Sequence, residues 1–208
     1  MQFTNLAALF LSAITLSSAA AIHPRIITAD TIVQDVQNIH EGVLANQAAT
    51  EAYEGGDLAT TLIEGTPVSF TDAKDHPIHI HTYKSIQEFL TVGAIHLANR
   101  KGFVDANLAP QFNEADTRKI FNKVVDTVNV SIPDDIDILI SKYPNFKESG
   151  LQPVVLSGLK LLINDHDTFS YAVQTKAYKQ NAALIAEGVA AVKNIHDAIQ
   201  RGIDVYSA

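Results

Sequence analysis

Three histidines within six residues form the densest group of possible metal ligands in this chain. His76, His79 and His81 stand in the segment His-Pro-Ile-His-Ile-His, and imidazole nitrogens bind zinc and copper. On a helix His76 and His79 share a face, but His81 points elsewhere. On a strand His79 and His81 would share a face, yet Pro77 and its flanks indicate a helix start. We therefore predict no metal site here, and a metal-dependent enzyme using this segment stays only as an alternative.

A second histidine lies where a hydrolase could use it, in the run Asn164-Asp165-His166-Asp167. Nucleophilic catalysis also needs a nucleophile and an orienting carboxylate within reach of the base. The chain has no cysteine and no Gly-x-Ser-x-Gly elbow. We interpret His166 as a packed, hydrogen-bonded histidine of an apolar seam, and His40 and His196 in the same way. No catalytic residue and no cofactor is predicted.

Two polar motifs have simpler interpretations than a ligand site. Asp134, Asp135 and Asp137 lack the spacing of a calcium loop, so we expect them at the positive start of a helix. Asn129-Val130-Ser131 is the one N-glycosylation sequon. It precedes Pro133 at an expected helix end, which favours exposure, and Asn129 is therefore the predicted glycosylation site.

The first 21 residues have the pattern of an export signal. They carry no charged side chain, and the apolar run from Leu6 to Leu16 is followed by small residues ending at Ala21. Such a run is too short to span a bilayer, which needs about 20 residues. We predict a signal peptide over 1–21, a single domain over 22–208, and a secreted, extracellular protein without a transmembrane segment.

Composition narrows the class of fold and of partner. The chain has 15 basic and 23 acidic residues and a formal net charge of −8. This charge disfavours nucleic acid as a partner. No cysteine is present, so the fold forms without disulfides. Ala, Val, Ile and Leu dominate the apolar residues, which suits helix packing.

Apolar residues recur at helical spacing along most of the chain. The pattern predicts an all-α protein, a single antiparallel bundle of about five to six amphipathic helices. We expect the first helix to start at Thr28 or Asp30, which are good capping residues, and to bury Ile32, Val36 and Ile39. Further helices are expected over about 57–64, 76–101, 114–129, a short piece after Pro133, 150–174 and 177–206. Loops are expected over 65–75 and 102–113.

Several of these segments resemble the fungal hydrophobic surface-binding proteins, which share a domain with cell-wall galactomannoproteins. The similar segments are Ile32–Ile39 with Tyr53-Glu54-Gly55-Gly56, Arg100-Lys101-Gly102-Phe103, Leu159–Phe169, and Ala182–Val189 through Ile199 and Tyr206. The resemblance implies a secreted, non-enzymatic helical bundle that adsorbs to hydrophobic surfaces or binds fatty-acid-like ligands between its helices. The alternative is a structural or antigenic cell-wall mannoprotein, although the Ser/Thr-rich region and anchor signal usual in wall members are missing.

A ligand between the helices would contact the inner faces of the bundle. The third expected helix has a wide apolar face, and glycines thin the packing locally, which leaves room for an acyl chain. The residues we expect to line such a site are Phe89, Val92, Phe121, Leu162, Phe169 and Val189.

Overall fold

The computed structural model describes residues 26–55 and 77–208, with the side chains of 26–55 and 91–208. Seven helices occupy these ranges: α1 (Ala29–Glu51), α2 (Pro77–Leu108), α3 (Glu114–Asp126), α4 (Val128–Ser141), α5 (Tyr143–Glu148), α6 (Gln152–Lys176) and α7 (Ala182–Tyr206). No strand occurs in them. The prediction of an all-α bundle is confirmed, with six helices of 13 or more residues and one of six.

The start of α1 follows from one side chain. Thr28 has an extended backbone, and its hydroxyl accepts a hydrogen bond from the Thr31 N–H at 3.4 Å. In return the Thr28 N–H donates to the Thr31 hydroxyl at 3.3 Å, which completes a capping box. The apolar face that follows is almost wholly buried, as predicted, with Ile32, Val36 and Ile39 each at most 4% exposed.

Five helices form a closed ring. Neighbouring pairs are α1 and α2, α2 and α6, α6 and α7, α7 and α4, and α4 and α1. Their hydrogen bonds give the directions. Asp35 contacts Lys101 whereas Asn46 contacts Thr91, so α1 and α2 are antiparallel. Asn129 contacts Asn194 whereas Asp137 contacts Arg201, so α4 and α7 run parallel. A ring of this kind surrounds a central space that side chains must fill.

The two remaining helices, α3 and α5, pack against members of the ring. Helix α3 packs against α1, α4 and α7, and α5 against α4 and α6. Around α5 the Tyr53 and Phe146 rings stack with centroids 4.3 Å apart, and the Tyr206 hydroxyl donates to the Leu139 carbonyl at 2.8 Å. Tyr53, Phe146 and Tyr206 are at most 1% exposed, so aromatic packing seals this region.

The expected loop over 102–113 is wrong for its first seven residues, because α2 continues to Leu108. Gly102 does not end the helix. A Cβ atom at this position would lie 2.7 Å from the ring of Phe169, so the glycine admits the aromatic side chain of α6. Ala106 then extends the buried face at 0% exposure, and the helix ends shortly before Pro110.

The expected helix break at Pro133 is also wrong. The break between α3 and α4 lies at Thr127, and Pro133 lies inside α4. A proline has no N–H to bond the carbonyl four residues earlier, which here belongs to Asn129. The side-chain amide of Asn194 in α7 donates to that carbonyl at 3.1 Å. A neighbouring helix thus supplies the hydrogen bond that proline removes.

Other expectations fall partly beyond the described ranges. The signal peptide over 1–21, the short helix over 57–64 and the loop over 65–75 lie outside them, as does His76. Within the described part of the chain, no helix combines the length and apolar character needed to cross a membrane.

Candidate ligand-binding site

A cavity lies inside the ring of helices. Its volume is about 80 Å³, counted as the space open to the centre of a water molecule, and one water needs only about 10–15 Å³ on this measure. The described residues that line it are mostly aliphatic or aromatic, from α1, α2, α3, α4, α6 and α7. On α7 they run from Gly188 to Ile199, which at the helical rise is about 16 Å. The cavity is therefore long and mainly apolar.

Two phenylalanines form part of the wall because glycines face them. Phe121 of α3 lies over Gly188 of α7, where a Cβ atom would come within 2.4 Å of the ring. Phe169 of α6 lies over Gly102 in the same manner. Both rings line the cavity and are at most 6% exposed. Small residues thus let large rings approach the neighbouring backbone, which shapes a smooth apolar surface.

The structure brings together three of the six expected lining residues. Phe121, Leu162 and Phe169 line the cavity. Val189 does not, because it is 49% exposed on the outer face of α7, and Gly188 takes the inward position. Val92 is absent from the described lining and lies instead near Gly158, at the contact of α2 with α6. The side chain of Phe89 lies outside the described residues.

One end of the cavity carries a buried carboxyl group. Asp135 of α4 lines the cavity and is 7% exposed. With the Asn46 amide turned so that its nitrogen faces the carboxyl group, it donates to the two Asp135 oxygens at 3.1 and 3.3 Å, and its oxygen accepts from the Thr91 hydroxyl at 2.8 Å. Burial raises the pKa of Asp135 to about 8, since removal from water disfavours the charged form.

Polar side chains also line the cavity further along α6. The His166 Nε2 lies 3.1 Å from the Val192 carbonyl, an acceptor that assigns the proton to Nε2. Burial lowers the pKa of His166, so the ring is neutral. Its Nδ1 lies 3.4 Å from the Ser170 hydroxyl, and Gln174 follows one turn later. The interpretation of His166 as a packed, satisfied histidine is confirmed.

The two polar ends lie far apart along the cavity. Asp135 is level with the Ile199 region of α7, because Asn129 meets Asn194 and Asp137 meets Arg201 on the parallel neighbours. Ser170 and Gln174 lie beyond the level of Val192, towards Gly188. They keep partial exposure to solvent, whereas Asp135 is buried. The cavity thus has a deep end with a carboxyl group and a more open end with hydroxyl and amide donors.

Sequence reasoning missed Asp135. The expectation that the acidic run lies at a helix start is wrong, since all three residues lie in the interior of α4. Asp134 and Asp137 are exposed and Asp135 is not. The signal was present: Asp135 falls on the same face of the helix as the apolar Val128 and Ile132, at spacings of seven and three.

Other charged side chains form ion pairs, mostly between helices, and are not among the described residues that line the cavity. Lys101 of α2 bonds both Asp35 of α1 and, at 2.8 Å, Asp105. His96 of α2 bonds the buried Asp165 of α6 at 2.5 Å. Throughout 26–55 and 91–208, no three His, Asp or Glu side chains converge as a metal site would require. The side chains of His79 and His81 lie outside these ranges, so the prediction about that cluster stays a prediction.

The sequence pattern of the family described as hydrophobic surface binding protein A matches residues 85–175. This stretch contains most of α2 and α6 and the whole of α3, α4 and α5. The expected family resemblance is confirmed. No curated protein matches the chain by sequence.

Solved structures share the fold. A structure of Afmp4p in complex with palmitic acid is similar at 18% identity and a TM-score of 0.69, over 86% of this chain and 99% of that one. Ligand binding domain 1 of Penicillium marneffei MP1 protein, complexed with arachidonic acids, is similar at 19% identity and a TM-score of 0.68, over 86% of this chain and 99% of that one. Ligand binding domain 2 of the same protein, complexed with multiple arachidonic acids, is similar at 19% identity and a TM-score of 0.66, over 88% of this chain and 97% of that one.

Proposed function

We propose that this protein binds a long-chain fatty acid or a similar lipid in the cavity of the helix ring and performs no catalysis. The observation that carries the proposal is the long apolar cavity between Phe121 and Phe169, which has polar groups only at a few positions. Binding sites for apolar ligands have this composition. Proteins with the same fold hold palmitic acid or arachidonic acids, which is the ligand class that we carry over to this chain.

Among the described lining residues, the arrangement of the polar side chains supports a binding role. His166 and Ser170 are neighbours on one helix, but the other ring nitrogen of His166 faces a backbone carbonyl rather than a carboxylate. The pair therefore lacks the third member that orients a catalytic base. A carboxylate ligand would find the Gln174 amide as a donor at this end of the cavity, beside the Ser170 hydroxyl.

The test uses one substitution at two positions of α7. Val192 lines the cavity, so Val192→Phe places a ring where the acyl chain would lie. Val189→Phe adds the same ring on the exposed face and is the matched control. In a fluorescent fatty-acid displacement assay we expect V192F to lower the affinity for palmitic acid at least tenfold, and V189F to leave it unchanged. Equal affinity of both variants and the wild type would exclude the cavity as the site.

Adsorption to hydrophobic surfaces is a second candidate function, favoured by an apolar stripe on α2. Leu97, Val104 and Leu108 are 50–70% exposed and recur at spacings of seven and four, so they share one face. Replacing all three by serine should reduce adsorption to wax beads without changing fatty-acid affinity.

Adsorption should also rise from pH 8 to 5, as the net charge of −8 shrinks and self-repulsion weakens. If adsorption does not change with pH, electrostatic self-repulsion does not control it.

We further propose that the protein acts outside the cell, after removal of residues 1–21. N-terminal sequencing of secreted protein should begin at Ile22.

Asn129 remains the proposed glycan acceptor, although its side-chain oxygen accepts from the Asn194 amide at 3.0 Å. Its occupancy is measured by the mass lost on enzymatic deglycosylation. Association with the cell wall would appear as protein that is retained by washed walls.

A further inference from the structure

The deep end of the cavity carries hydrogen-bonding capacity that a plain hydrocarbon tail cannot use. Asp135 has two carboxyl oxygens, and the described protein groups supply one amide, that of Asn46, to bond them. A carboxyl group accepts about four hydrogen bonds when ionised, and donates one when protonated. Asp135 is one of the residues that line the cavity, which places this capacity beside a bound chain. A buried polar group left without a partner is unfavourable.

The surroundings exclude a cationic partner from the described part of the site. Of the described residues that line the cavity, none is Lys or Arg, and His166 is the one other ionisable group. On its own helix, Asp134 and Asp137 are exposed, and Asp137 pairs with Arg201 at 2.7 Å. Among the described side chains of α1 and α2, the Asn46 amide faces Asp135, and the Thr91 hydroxyl bonds Asn46. A neutral environment of this kind suits a neutral ligand group.

A hydroxyl is the ligand group that fits both states of this acid. It donates to an ionised carboxylate, and it accepts from a protonated one. A ligand carboxylate fits only one of the two states, because it bonds a protonated Asp135 and is repelled by an ionised one. A carboxylate is better placed at Ser170 and Gln174, which lie at the opposite end and carry donors. Between the levels of these two ends the lining part of α7, from Gly188 to Ile199, rises about 16 Å, which is comparable to the length of an extended palmitic acid chain.

We propose that the Asp135–Asn46–Thr91 cluster is a subsite for a hydroxyl group at the far end of the bound chain, so that the cavity prefers terminally hydroxylated fatty acids to unmodified ones. This inference rests on the proposed function, because it requires an acyl chain in the cavity. It adds the chemical class of ligand that the deep end recognises. The hydroxyl would complete the hydrogen bonding of Asp135 while the methylene groups contact Phe121, Phe169 and the aliphatic wall.

The experiment compares three acids of one chain length in a displacement assay at pH 7. These are palmitic acid, 16-hydroxyhexadecanoic acid and 2-hydroxyhexadecanoic acid, whose hydroxyl lies beside the carboxylate. The wild type should bind the 16-hydroxy acid more tightly than the other two. In Asp135→Leu the preference should reverse, with a change of at least about tenfold in the ratio of the dissociation constants for the 16-hydroxy acid and palmitic acid. Asp134→Leu is the control on the exposed face and should keep the wild-type ratio.

The outcomes separate this inference from the proposed function. If the wild type binds palmitic acid but shows no preference for the 16-hydroxy acid, the subsite is overturned and the proposed function stands. An unchanged ratio in Asp135→Leu also overturns it. If no acid binds, both proposals fall. The wild-type comparison needs no variant, so the inference can be tested even if Asp135→Leu does not fold.

Discussion

At the scale of single residues, Asp135 is a buried carboxyl group in a mainly apolar wall. It is buried in α4 with the Asn46 amide as its nearest described donor. Its pKa is raised to about 8 by burial, against an ordinary value of about 3.9 in an unfolded chain. Between these values the folded protein binds a proton that the unfolded chain has released, so the free energy of unfolding falls as pH rises.

Asp135→Asn should remove this pH dependence. For the wild type relative to the variant, we expect the free energy of unfolding to decline from pH 4.5 to 8, by at most about 1.4 kcal/mol per pH unit. Urea denaturation at several pH values measures it. Asp134→Asn, on the exposed face of the same helix, should run parallel to the wild type. Parallel curves for Asp135→Asn as well would show that Asp135 is ionised in the folded protein.

Gly188 and Gly93 make a second matched pair at this scale. Gly188→Ala would place a methyl group 2.4 Å from the Phe121 ring, whereas no atom of another described side chain lies within 4 Å of a Cβ atom at Gly93. The first change should destabilise the protein by about 1–3 kcal/mol through overpacking. The second should stabilise it by up to about 1 kcal/mol, because alanine favours a helix interior. Urea denaturation distinguishes them, and a gain of equal size in both would mean that helix propensity, not packing, decides.

At the scale of helices, the sequence predicts those elements whose signals are local. Thr28 starts α1 as its capping chemistry requires, and the apolar spacing in α6 and α7 predicts their buried faces. Where the prediction was wrong, the deciding partner lies far away in the chain. Gly102 continues α2 because Phe169 of α6 occupies the space beside it, and Pro133 is tolerated because Asn194 of α7 bonds the freed carbonyl. Neither contact is visible from local spacing.

The candidate site was predictable to the same extent. Phe121, Leu162 and Phe169 belong to clear apolar stripes, so the sequence placed them inside correctly. Gly188 has no side chain to register in such a pattern, and its neighbour Val189 was therefore assigned the inward position. Asp135 was assigned to a helix start because acidic residues suit the positive end of a helix. Gly188 contributes space for the Phe121 ring, and Asp135 contributes a polar group to an apolar wall. Neither contribution is visible in a pattern of apolar spacing.

The contact between α4 and α7 gives a prediction for these elements. The Tyr206 hydroxyl donates to the Leu139 carbonyl at 2.8 Å, and the side chain is 0% exposed. Tyr206→Phe should lower the free energy of unfolding by about 0.5–1.5 kcal/mol, the usual net value of one hydrogen bond. Tyr171→Phe is the control, since Tyr171 is 70% exposed. If the two variants melt alike, the hydrogen bond contributes nothing to the packing of α7 on α4.

At the scale of the whole molecule, a cavity lowers stability when it is empty. A cavity inside the ring deprives its lining residues of contact atoms, and the chain has no cysteine with which a disulfide could compensate. A ligand that fills the space restores those contacts in the folded state only. Binding and folding are therefore linked, and the ligand acts as part of the core.

Thermal unfolding measures this linkage. Delipidated protein should melt at a lower temperature than protein saturated with palmitic acid. At a ligand concentration of 100 times the dissociation constant, binding contributes about 2.7 kcal/mol, which for a domain of this size corresponds to a rise of about 5–11 °C. Val192→Phe fills part of the cavity with its own ring, so the added acid should raise its melting temperature by less, whereas Val189→Phe should respond like the wild type. If palmitic acid binds yet shifts all three proteins equally, the acid occupies a surface site, and the cavity would be a packing defect that the fold tolerates.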